Sequence, residues 1–322
     1  MRLFNISIAL ILFCYSCEPY KNENHHYEIA FSSRVNNVLC IFKMDLEKLE
    51  PKRITSSDID CMGPKYSPNG DYIIYNSNGD LYLLDSNGNI ENLTKSSCLE
   101  LDHSISKNGD EIIYLSDQDE INNDHRLEVY SLNVNTYQKK RLTYSKFWAY
   151  NPRISPLGTM FSYLSWDSTT KQNSLILQEF VSAKIDTIYN NSYSSDFSPD
   201  GNLICHSVVN EGLYITDIYN QETRLLVNEG LYPKFSPIGD KVYYQTDSNS
   251  ELVIASINID GTNKIYYDTG QTVAEQFDIS SDGEIIVFVK RDGYKIYSIY
   301  TIESGGKNLT RLTLGNSPVF KP

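Results

Sequence analysis

The residues best suited to metal chemistry in this chain are its five histidines. A catalytic divalent cation usually takes about three protein ligands that converge on one point. Only His103 and His206 lie in segments with a strand-like pattern, whereas His25 and His26 are adjacent in a polar stretch and His125 lies in an acidic loop. The distribution favours a hydrogen-bonded strand-end role for His103 over a metal role. We therefore predict that the chain uses no metal and no cofactor.

Sequence motifs for other kinds of catalysis are missing. There is no Gly-x-Ser-x-Gly, His-Glu-x-x-His, Gly-x-Gly-x-x-Gly or phosphate-binding loop. The acidic stretches 85–91 and 117–124 contain oxygen ligands at spacings that calcium accepts. The first coincides with a turn and lacks the closing glutamate of a calcium loop, and the second is more typical of a solvated loop. We predict no catalytic residue.

Aromatic side chains near the middle of the chain are the candidates for binding a ligand. The two tryptophans, Trp148 and Trp166, fall in predicted loops that flank one strand segment, and Tyr150 and Asp167 lie beside them. Exposed aromatic rings next to acids and amides suit a sugar ring or a peptide. The alternative is that these rings only cover the end of the hydrophobic core.

A recurring turn motif defines the elements that would position these residues. The tetrapeptide Ser-Pro-x-Gly occurs in full four times and in relaxed form twice, at intervals of 38 to 49 residues. The copies lie at 67–70, 106–109, 155–158, 198–201, 236–239 and 280–283. Proline is preset for the second position of a type I turn, and glycine supplies the left-handed residue that closes a hairpin. Each copy therefore predicts a turn between two antiparallel strands.

The segments between these turns predict four short strands per repeat. A nearly continuous apolar run follows each turn, as at 72–75 and 241–244, which indicates a strand that is buried on both faces. Two more strand segments follow, and the last ends in Leu-Thr or a similar pair, as at 93–94 and 142–143. Four antiparallel strands in about 42 residues are typical of a β-propeller blade. The Tyr-rich composition agrees with an all-β fold.

The two ends of the chain predict how the propeller closes. Residues 27–31, 38–42 and 52–55 have the pattern of the second, third and fourth strands of a blade whose first strand is missing. Residues 318–322 repeat the pattern of an innermost strand and would supply it, so that no long strand edge stays unpaired. The sequence predicts a seven-bladed β-propeller. A six-bladed ring is the alternative, if the weak repeat at 106–109 is an insertion.

One position of the innermost strand is polar in six repeats and is predicted to line the mouth of the central channel. The residues there are Lys65, Ser104, Arg153, Asp196, Lys234 and Asp278, and His103 lies beside them at the start of its strand. Their charges alternate in sign. Mutual ion pairing is therefore as good an explanation for them as ligand binding.

The first 26 residues are predicted to direct and tether the protein. An apolar run at 3–13 follows Arg2, is too short to span a bilayer and is typical of a signal peptide. Residues 14–17, Cys-Tyr-Ser-Cys, resemble the lipobox of bacterial lipoproteins, which implies lipid attachment at Cys17; an ordinary cleaved signal peptide is the alternative. We assign 1–16 to the signal peptide, 17–26 to a tether and 27–322 to the propeller.

The complete repeat, Pro-x-Phe-Ser-Pro-Asp-Gly with an apolar run, Leu-Tyr-x-x-Asp and Leu-Thr, resembles the WD40-like (PD40) repeat of the TolB family over 27–322. TolB proteins have six blades after an α/β domain, and this chain is predicted to have seven and no such domain. The resemblance implies a non-catalytic, protein-binding or scaffolding role in the bacterial envelope, in the periplasm or at the outer membrane. The architecture also resembles the seven-bladed oligogalacturonate lyase, which implies a metal-assisted polysaccharide lyase or hydrolase as the alternative. A carbohydrate-binding propeller is a third possibility.

The net charge of the chain limits the classes of partner that we expect. The net charge of −13 disfavours nucleic acid and anionic lipid surfaces. We expect an envelope protein or peptide as partner, a glycan as the alternative, and membrane contact only through the lipid anchor.

Cys40 and Cys205 are predicted to be buried thiols. Cys61 and Cys98 precede equivalent turns in successive repeats, and the sequence leaves open whether they form a disulfide.

Overall fold

The computed structural model describes residues 26–56, 58–118, 126–144, 147–248, 251–269, 273–293 and 296–322. In these ranges the regular secondary structure consists entirely of β-strands. The 28 strands form seven four-stranded antiparallel sheets. The sheets are the blades of a seven-bladed β-propeller, as the sequence predicts. The weak repeat at 106–109 is the turn of a complete blade, so the six-bladed alternative is wrong.

The strands follow one another blade by blade. Blade 1 begins with β1 (Glu28–Val35), β2 (Val38–Asp45) and β3 (Lys52–Arg53). Blade 2 contains β4 (Cys61–Tyr66), β5 (Tyr72–Ser77), β6 (Asp80–Asp85) and β7 (Ile90–Asn92), and blade 3 contains β8 (Glu100–Ile105), β9 (Glu111–Ser116), β10 (Glu128–Asn133) and β11 (Lys139–Arg141). Blade 4 contains β12 (Trp148–Ile154), β13 (Met160–Asp167), β14 (Gln172–Glu179) and β15 (Ile185–Asn190).

The remaining blades repeat this order. Blade 5 contains β16 (Ser192–Phe197), β17 (Leu203–Val208), β18 (Gly212–Asp217) and β19 (Thr223–Val227). Blade 6 contains β20 (Leu231–Phe235), β21 (Lys241–Ser248), β22 (Glu251–Asn258) and β23 (Ile265–Tyr267). Blade 7 contains β24 (Val273–Ile279), β25 (Ile285–Gly293), β26 (Ile296–Glu303) and β27 (Thr310–Leu314), and β28 (Asn316–Phe320) ends the chain.

The last strand closes the ring by joining the first blade. The strand order of blade 1 is β28-β1-β2-β3, with Phe320 opposite Ile29 and Val319 opposite Ala30. One residue further on, the Lys321 N–H donates a hydrogen bond of 2.8 Å to the Glu28 carbonyl. The predicted closure is confirmed.

Because strand direction alternates within each blade, the ring has two distinct faces. The Ser-Pro-x-Gly turns and the turns between third and fourth strands, for example 155–159 and 180–184, form what we call the lower face. The loops between blades and the turns between second and third strands, for example 168–171, form the upper face. Any ligand that contacts several blades at once must lie on one of these faces or in the central channel.

The hydrophobic core is divided among the seven junctions between neighbouring blades. At the junction of blades 7 and 1, Phe320 packs with Ile29, Phe31, Ile285 and Val287, all of them buried. Similar clusters fill the other six junctions. Each blade therefore depends on both neighbours for burial of its apolar side chains, which makes the closing junction important for the whole ring.

The serine of the repeated turn is a hydrogen-bonding residue. In blade 5 the Ser198 hydroxyl donates to Asp200 at 2.6 Å and accepts the Leu203 N–H at 2.9 Å. In all six turns the glycine has a positive φ, between 69° and 78°. In blade 4 the third position is Leu157, which cannot accept, and the buried Ser155 hydroxyl has no partner among the described residues.

The threonine of the Leu-Thr pair has a comparable role at the outer edge of a blade. The Thr94 hydroxyl accepts the Leu81 N–H at 3.0 Å, and the Thr143 hydroxyl accepts the Val129 N–H at 2.9 Å. Each threonine thereby continues the pairing of the fourth strand with the third after the regular ladder ends.

The four described cysteines are free thiols. Cys40, Cys61 and Cys205 are buried, and burial raises the pKa of the Cys205 thiol well above its usual value. The disulfide between Cys61 and Cys98 that the sequence left open is not formed.

Candidate functional site

The two tryptophans face each other on neighbouring strands of blade 4. Trp148 begins β12, Trp166 lies near the end of β13, and the two are direct cross-strand partners. The sequence placed both in loops, but the two strands extend further towards the upper face than their patterns suggested. Trp148 remains 39% exposed there.

A cavity of about 460 Å³ opens on the upper face where blades 4, 5 and 6 meet. It is lined by Tyr150, Asn151, Leu164, Trp166, Asn173, Tyr193 and Tyr232. We call this cavity the aromatic cup. Of the four residues that the sequence proposed for a ligand face, Tyr150 and Trp166 line the cup, whereas Trp148 and Asp167 do not.

The innermost strands present residues to the cup through β-bulges. The register of β12 against β13 shifts between Tyr150 and Arg153, and Asn151 within the bulge has φ +51°. Tyr232 on β20 lies in an equivalent bulge and also has φ +51°. A bulge re-aims a side chain out of the strand alternation, and here it directs Asn151 and Tyr232 towards the cup. The bulges explain why a regular strand pattern did not reveal Asn151 and Tyr232.

The cup combines flat aromatic rings with one buried polar atom that has no partner among the described residues. The Asn173 Oδ1 atom is buried and accepts no hydrogen bond from the described residues. Tyr193 and Tyr232 meet edge to face at 5.4 Å, and the Tyr232 hydroxyl donates to that of Tyr193 at 3.1 Å. Burial raises the pKa of Tyr150, which keeps its phenol neutral and able to donate. The cup therefore offers ring faces, a donor and an acceptor to a ligand.

Asp167 stabilises a turn beside the cup. Its carboxylate accepts the Thr169 N–H at 2.8 Å, and the Lys171 N–H donates to its carbonyl at 2.7 Å. The Thr169 N–H is the main cause of the lowered pKa of Asp167. The side chain is thus used within the loop between β13 and β14.

The residues predicted for the channel mouth lie on the innermost strands, near the lower turns, and several of them pair with one another. Lys65 and Arg153 both approach one carboxylate oxygen of Asp102, at 3.2 and 3.6 Å. Burial lowers the pKa of Lys65 to about 8, although Asp102 opposes the shift. Burial would raise the pKa of Asp102, but Lys65 and Arg153 hold it below its usual value. Sequence reasoning missed Asp102, which a bulge with φ +28° places between the two cations.

The other half of this set pairs in the same manner. Lys234 forms an ion pair with Asp278, which outweighs burial and holds the pKa of Lys234 above its usual value. Burial raises the pKa of Asp196, although Lys234 opposes the shift. The Asp196 carboxylate accepts the Phe235 N–H of the next blade at 2.8 Å.

Contacts of this last kind recur around the ring and join neighbouring blades. Asp278 accepts the Phe320 N–H at 2.8 Å, and the Ser104 hydroxyl accepts the Ile154 N–H at 3.2 Å. These channel residues therefore act in part as links between blades.

Both strand histidines are buried and neutral. Burial, with a contribution from Lys65, lowers the pKa of His103 to about 3, and neither ring nitrogen has a hydrogen-bond partner among the described residues. An interaction with the Ile74 backbone opposes the shift, and the hydrogen-bonded role of His103 stays a prediction. Burial lowers the pKa of His206 to about 4, and its Nε2 lies 3.2 Å from the Thr216 hydroxyl.

Potential metal ligands gather at one place in the described residues, away from these two histidines. His26, Asp45 and Glu47 have ligand atoms within 4.8 Å of one another, at the N-terminal end of blade 1. His125, with most of its acidic loop, and His25 lie outside the described residues. The acidic stretch 85–91 forms a turn in which Asp85 accepts the N–H groups of Asn87 and Asn89, at 2.9 and 2.8 Å.

Comparisons with known proteins identify the fold. No protein-family model and no curated protein sequence matches the chain. Among solved structures, TolB from Acinetobacter baumannii matches with 14% identity and a TM-score of 0.59, over 91% of this chain and 82% of that one. Oligogalacturonate lyase from Vibrio parahaemolyticus matches with 12% identity and a TM-score of 0.67, over 90% and 85%. A puromycin-hydrolysing peptidase from Mycobacterium tuberculosis matches with 9% identity and a TM-score of 0.71, over 89% and 53%.

At these identities the matches establish a TolB-like propeller fold and nothing about activity. The matched structures include TolB proteins as well as a lyase and a peptidase, so the function must be argued from the site. Within the described ranges there is no helix of the length and hydrophobicity needed to cross a membrane.

Proposed function

We propose that this chain is an exported, lipid-anchored propeller of the bacterial cell envelope that binds a protein partner on its upper face and has no catalytic role of its own. The aromatic cup carries this proposal. It is a shallow, largely apolar site at the junction of three blades, and its buried acceptor, Asn173 Oδ1, has no partner among the described residues. Apolar clefts with a few such polar groups are the usual form of a binding site.

The central channel supports binding less well than the cup does. Lys65, Arg153 and Lys234 each have a carboxylate neighbour among the described residues, and the acids accept backbone N–H groups of adjacent blades. A ligand would have to replace these contacts before gaining its own. In the cup, a peptide strand could stack an apolar side chain on Trp166 and donate a backbone N–H to Asn173 without such a cost.

The anchor is tested by changing the proposed lipidation site. We expect the wild-type protein to stay with the membrane fraction. We expect Cys17→Ala to be released into the soluble fraction after export, because a tether without an acyl group has no affinity for lipid. Fractionation followed by immunoblotting measures the partition. Cys14→Ala is the control, since Cys14 lies within the predicted signal peptide. Equal partition of Cys17→Ala and wild type would contradict lipid attachment at Cys17.

The proposed binding of a partner in the aromatic cup is tested by replacing each of the two tryptophans. Trp166→Ala removes a cup residue, and we expect recovery of a cross-linked partner from native membranes to fall by roughly 30-fold, the effect of losing about 2 kcal/mol at an aromatic hot spot. Trp148→Ala makes the same change on the paired strand outside the cup and should leave recovery unchanged. Quantitative mass spectrometry of the eluted proteins gives both values. Equal losses would mean that the cup is not the binding site.

A carbohydrate ligand is the second candidate for the same cup, because a ring face beside an amide oxygen that has no partner in the described part of the chain also suits a sugar. A glycan array probed with wild type and Trp166→Ala distinguishes it from a protein partner. The metal-assisted lyase alternative lacks a gathered ligand set around His103 or His206 in the described residues. Stoichiometric bound metal together with polysaccharide cleavage would nevertheless replace the binding proposal.

A further inference from the structure

The N-terminal end of the described chain leaves the propeller on the lower face. The Tyr27 hydroxyl donates to Asp282 in the turn between β24 and β25, and the Tyr27 carbonyl accepts the Leu46 N–H at 2.9 Å. Both contacts are with lower-face turns. Nine residues separate Cys17 from Tyr27, and they can span at most about 35 Å when fully extended. A lipid on Cys17 would therefore turn the lower face towards the membrane.

The lower face carries exposed apolar side chains on the side of the ring opposite this tether. Val181 is 97% exposed, Ile238 79%, Tyr219 62% and Leu157 52%. They lie in turns of blades 4, 5 and 6. In a ring of seven, blade 1 faces the gap between blades 4 and 5, so the tether and these side chains occupy opposite sides of one face.

Two of these side chains occupy a position that a polar residue fills in the other turns. Leu157 and Ile238 are the third residues of their Ser-Pro-x-Gly turns, where the remaining four copies have Asn69, Asn108, Asp200 and Asp282. Those residues accept the hydrogen bond of the turn serine, for example at 2.8 Å in blade 2. The leucine in blade 4 leaves the Ser155 hydroxyl without a partner among the described residues. In blade 6 the Ser236 hydroxyl donates instead to Asp240 at 2.6 Å. Leu157 and Ile238 thus do not bind their turn serines, and both side chains are exposed.

The turns that carry Leu157 and Ile238 are linked through the turn of blade 5. Leu157 lies so close to the next turn that a β-carbon on Gly201 would be 2.8 Å from its Cγ. Pro199 lies close to the following turn, where a β-carbon on Gly239 would be 3.3 Å from its Cδ. The turns of blades 4 to 6 thus follow one another closely, and Val181 and Tyr219 lie in the turns between third and fourth strands of blades 4 and 5. We use the name apolar ridge for Leu157, Val181, Pro199, Tyr219 and Ile238.

We propose that the apolar ridge inserts into the interfacial zone of a lipid bilayer and forms a second attachment beside the lipid on Cys17. This inference rests on the proposed lipid anchor. Apolar side chains at an interface lie about 5–10 Å deep. The tether keeps the ridge at a high effective concentration near the membrane, which makes a weak contact sufficient. Two contacts on opposite sides of one face direct the aromatic cup away from the bilayer.

The test places a tryptophan in the ridge of the lipidated full-length protein, reconstituted in phosphatidylcholine vesicles with or without brominated acyl chains. We expect Ile238→Trp emission to fall on the order of twofold in brominated vesicles, because the indole reaches the acyl boundary. Val209→Trp is the matched control: Val209 is 37% exposed in an upper-face turn and should not be quenched. Wild type supplies the background of Trp148 and Trp166.

A second set of variants removes the ridge without harming the turns. Leu157→Asn with Ile238→Asn introduces the residue that Asn69 provides in blade 2, so folding should be preserved, and quenching of a Val181→Trp probe should disappear. Unquenched Ile238→Trp in protein that still floats with the vesicles would overturn the ridge but leave the anchor intact. Protein that does not float would overturn the anchor and, with it, this inference. Concentration-dependent dimers that the asparagine variant abolishes would assign the ridge to a second copy of the chain and also overturn it.

Discussion

Replacing Phe320 with alanine will lower the free energy of unfolding by about 3–5 kcal/mol, the usual effect of truncating a buried phenylalanine. The ring of Phe320 is 6% exposed and packs with Ile29, Phe31 and Ile285 where the last blade meets the first. In an open chain, the loss of one end residue would have a local effect. Here the same residue joins both ends of a ring, so we expect the whole propeller to unfold in one transition at a lower urea concentration.

The control for this prediction is Leu314→Ala. Leu314 is 51% exposed at the end of β27, only six residues away, and its truncation should change stability by less than about 0.5 kcal/mol. Removal of residues 316–322 should be more severe than Phe320→Ala, because it also breaks the pairing of β28 with β1. If Phe320→Ala and Leu314→Ala unfold at the same urea concentration, the closing strand does not hold the ring together.

The architecture could be predicted because the same turn and strand residues recur at the same spacing in each repeat. A turn such as 198–201 needs proline, glycine and an acceptor for the serine, and these requirements are visible as residue types at fixed spacing. Closure was predictable for the same reason, since 318–322 has the pattern of an innermost strand without the strands that should follow. Strand ends were less predictable. Trp148 and Trp166 belong to strands that extend beyond their apolar patterns.

The candidate site was only partly predictable, because its geometry depends on irregular backbone. Tyr150 and Trp166 were proposed from their aromatic character, and both line the cup. Tyr193 and Tyr232 come from other blades, and Tyr232 is turned towards the cup by a bulge that no residue pattern announces. Five of the seven innermost strands have a residue with positive φ just before the position of Pro64, so the bulge recurs in the fold, but the five residues share no common type.

The charged residues show why a list of candidates does not decide their role. The alternation in sign of Lys65, Arg153 and Asp196 was visible in the sequence, but the carboxylate that pairs with the first two, Asp102, was not among the candidates. Asp102 immediately precedes His103 and lies in a bulge with φ +28°. Only the fold brings it between blades 2 and 4.

Lowering the pH from 8 to 5 will remove about 4 kcal/mol of stability through His103 and His206, about 2 kcal/mol for each. Burial lowers the pKa of His103 to about 3 and that of His206 to about 4, against 6.5 in the unfolded chain. Below pH 6.5 the unfolded state therefore binds protons that the folded state excludes, so stability falls as the pH falls. The effect begins near pH 6.5 and is complete once the pH passes the folded values. Asp102 and other acids with lowered pKa values stabilise the folded state in their charged form, and this contribution is lost only below about pH 4. Glu100 and Asp196 have raised pKa values, so their protonation makes the folded state more stable as the pH falls.

The repeats themselves supply replacements that isolate the histidine effect. The position of His103 is proline in four blades, for example Pro152, and the position of His206 is aromatic in all six other blades, for example Tyr244 and Phe288. The variant with His103→Pro and His206→Phe should fold with the residues its neighbours carry, and its urea midpoint should vary little between pH 8 and pH 5. The wild-type midpoint should fall steeply over the same range. Parallel curves for the two proteins would mean that neither imidazole is held neutral in the folded state, since removing them would then leave the proton balance of unfolding unchanged.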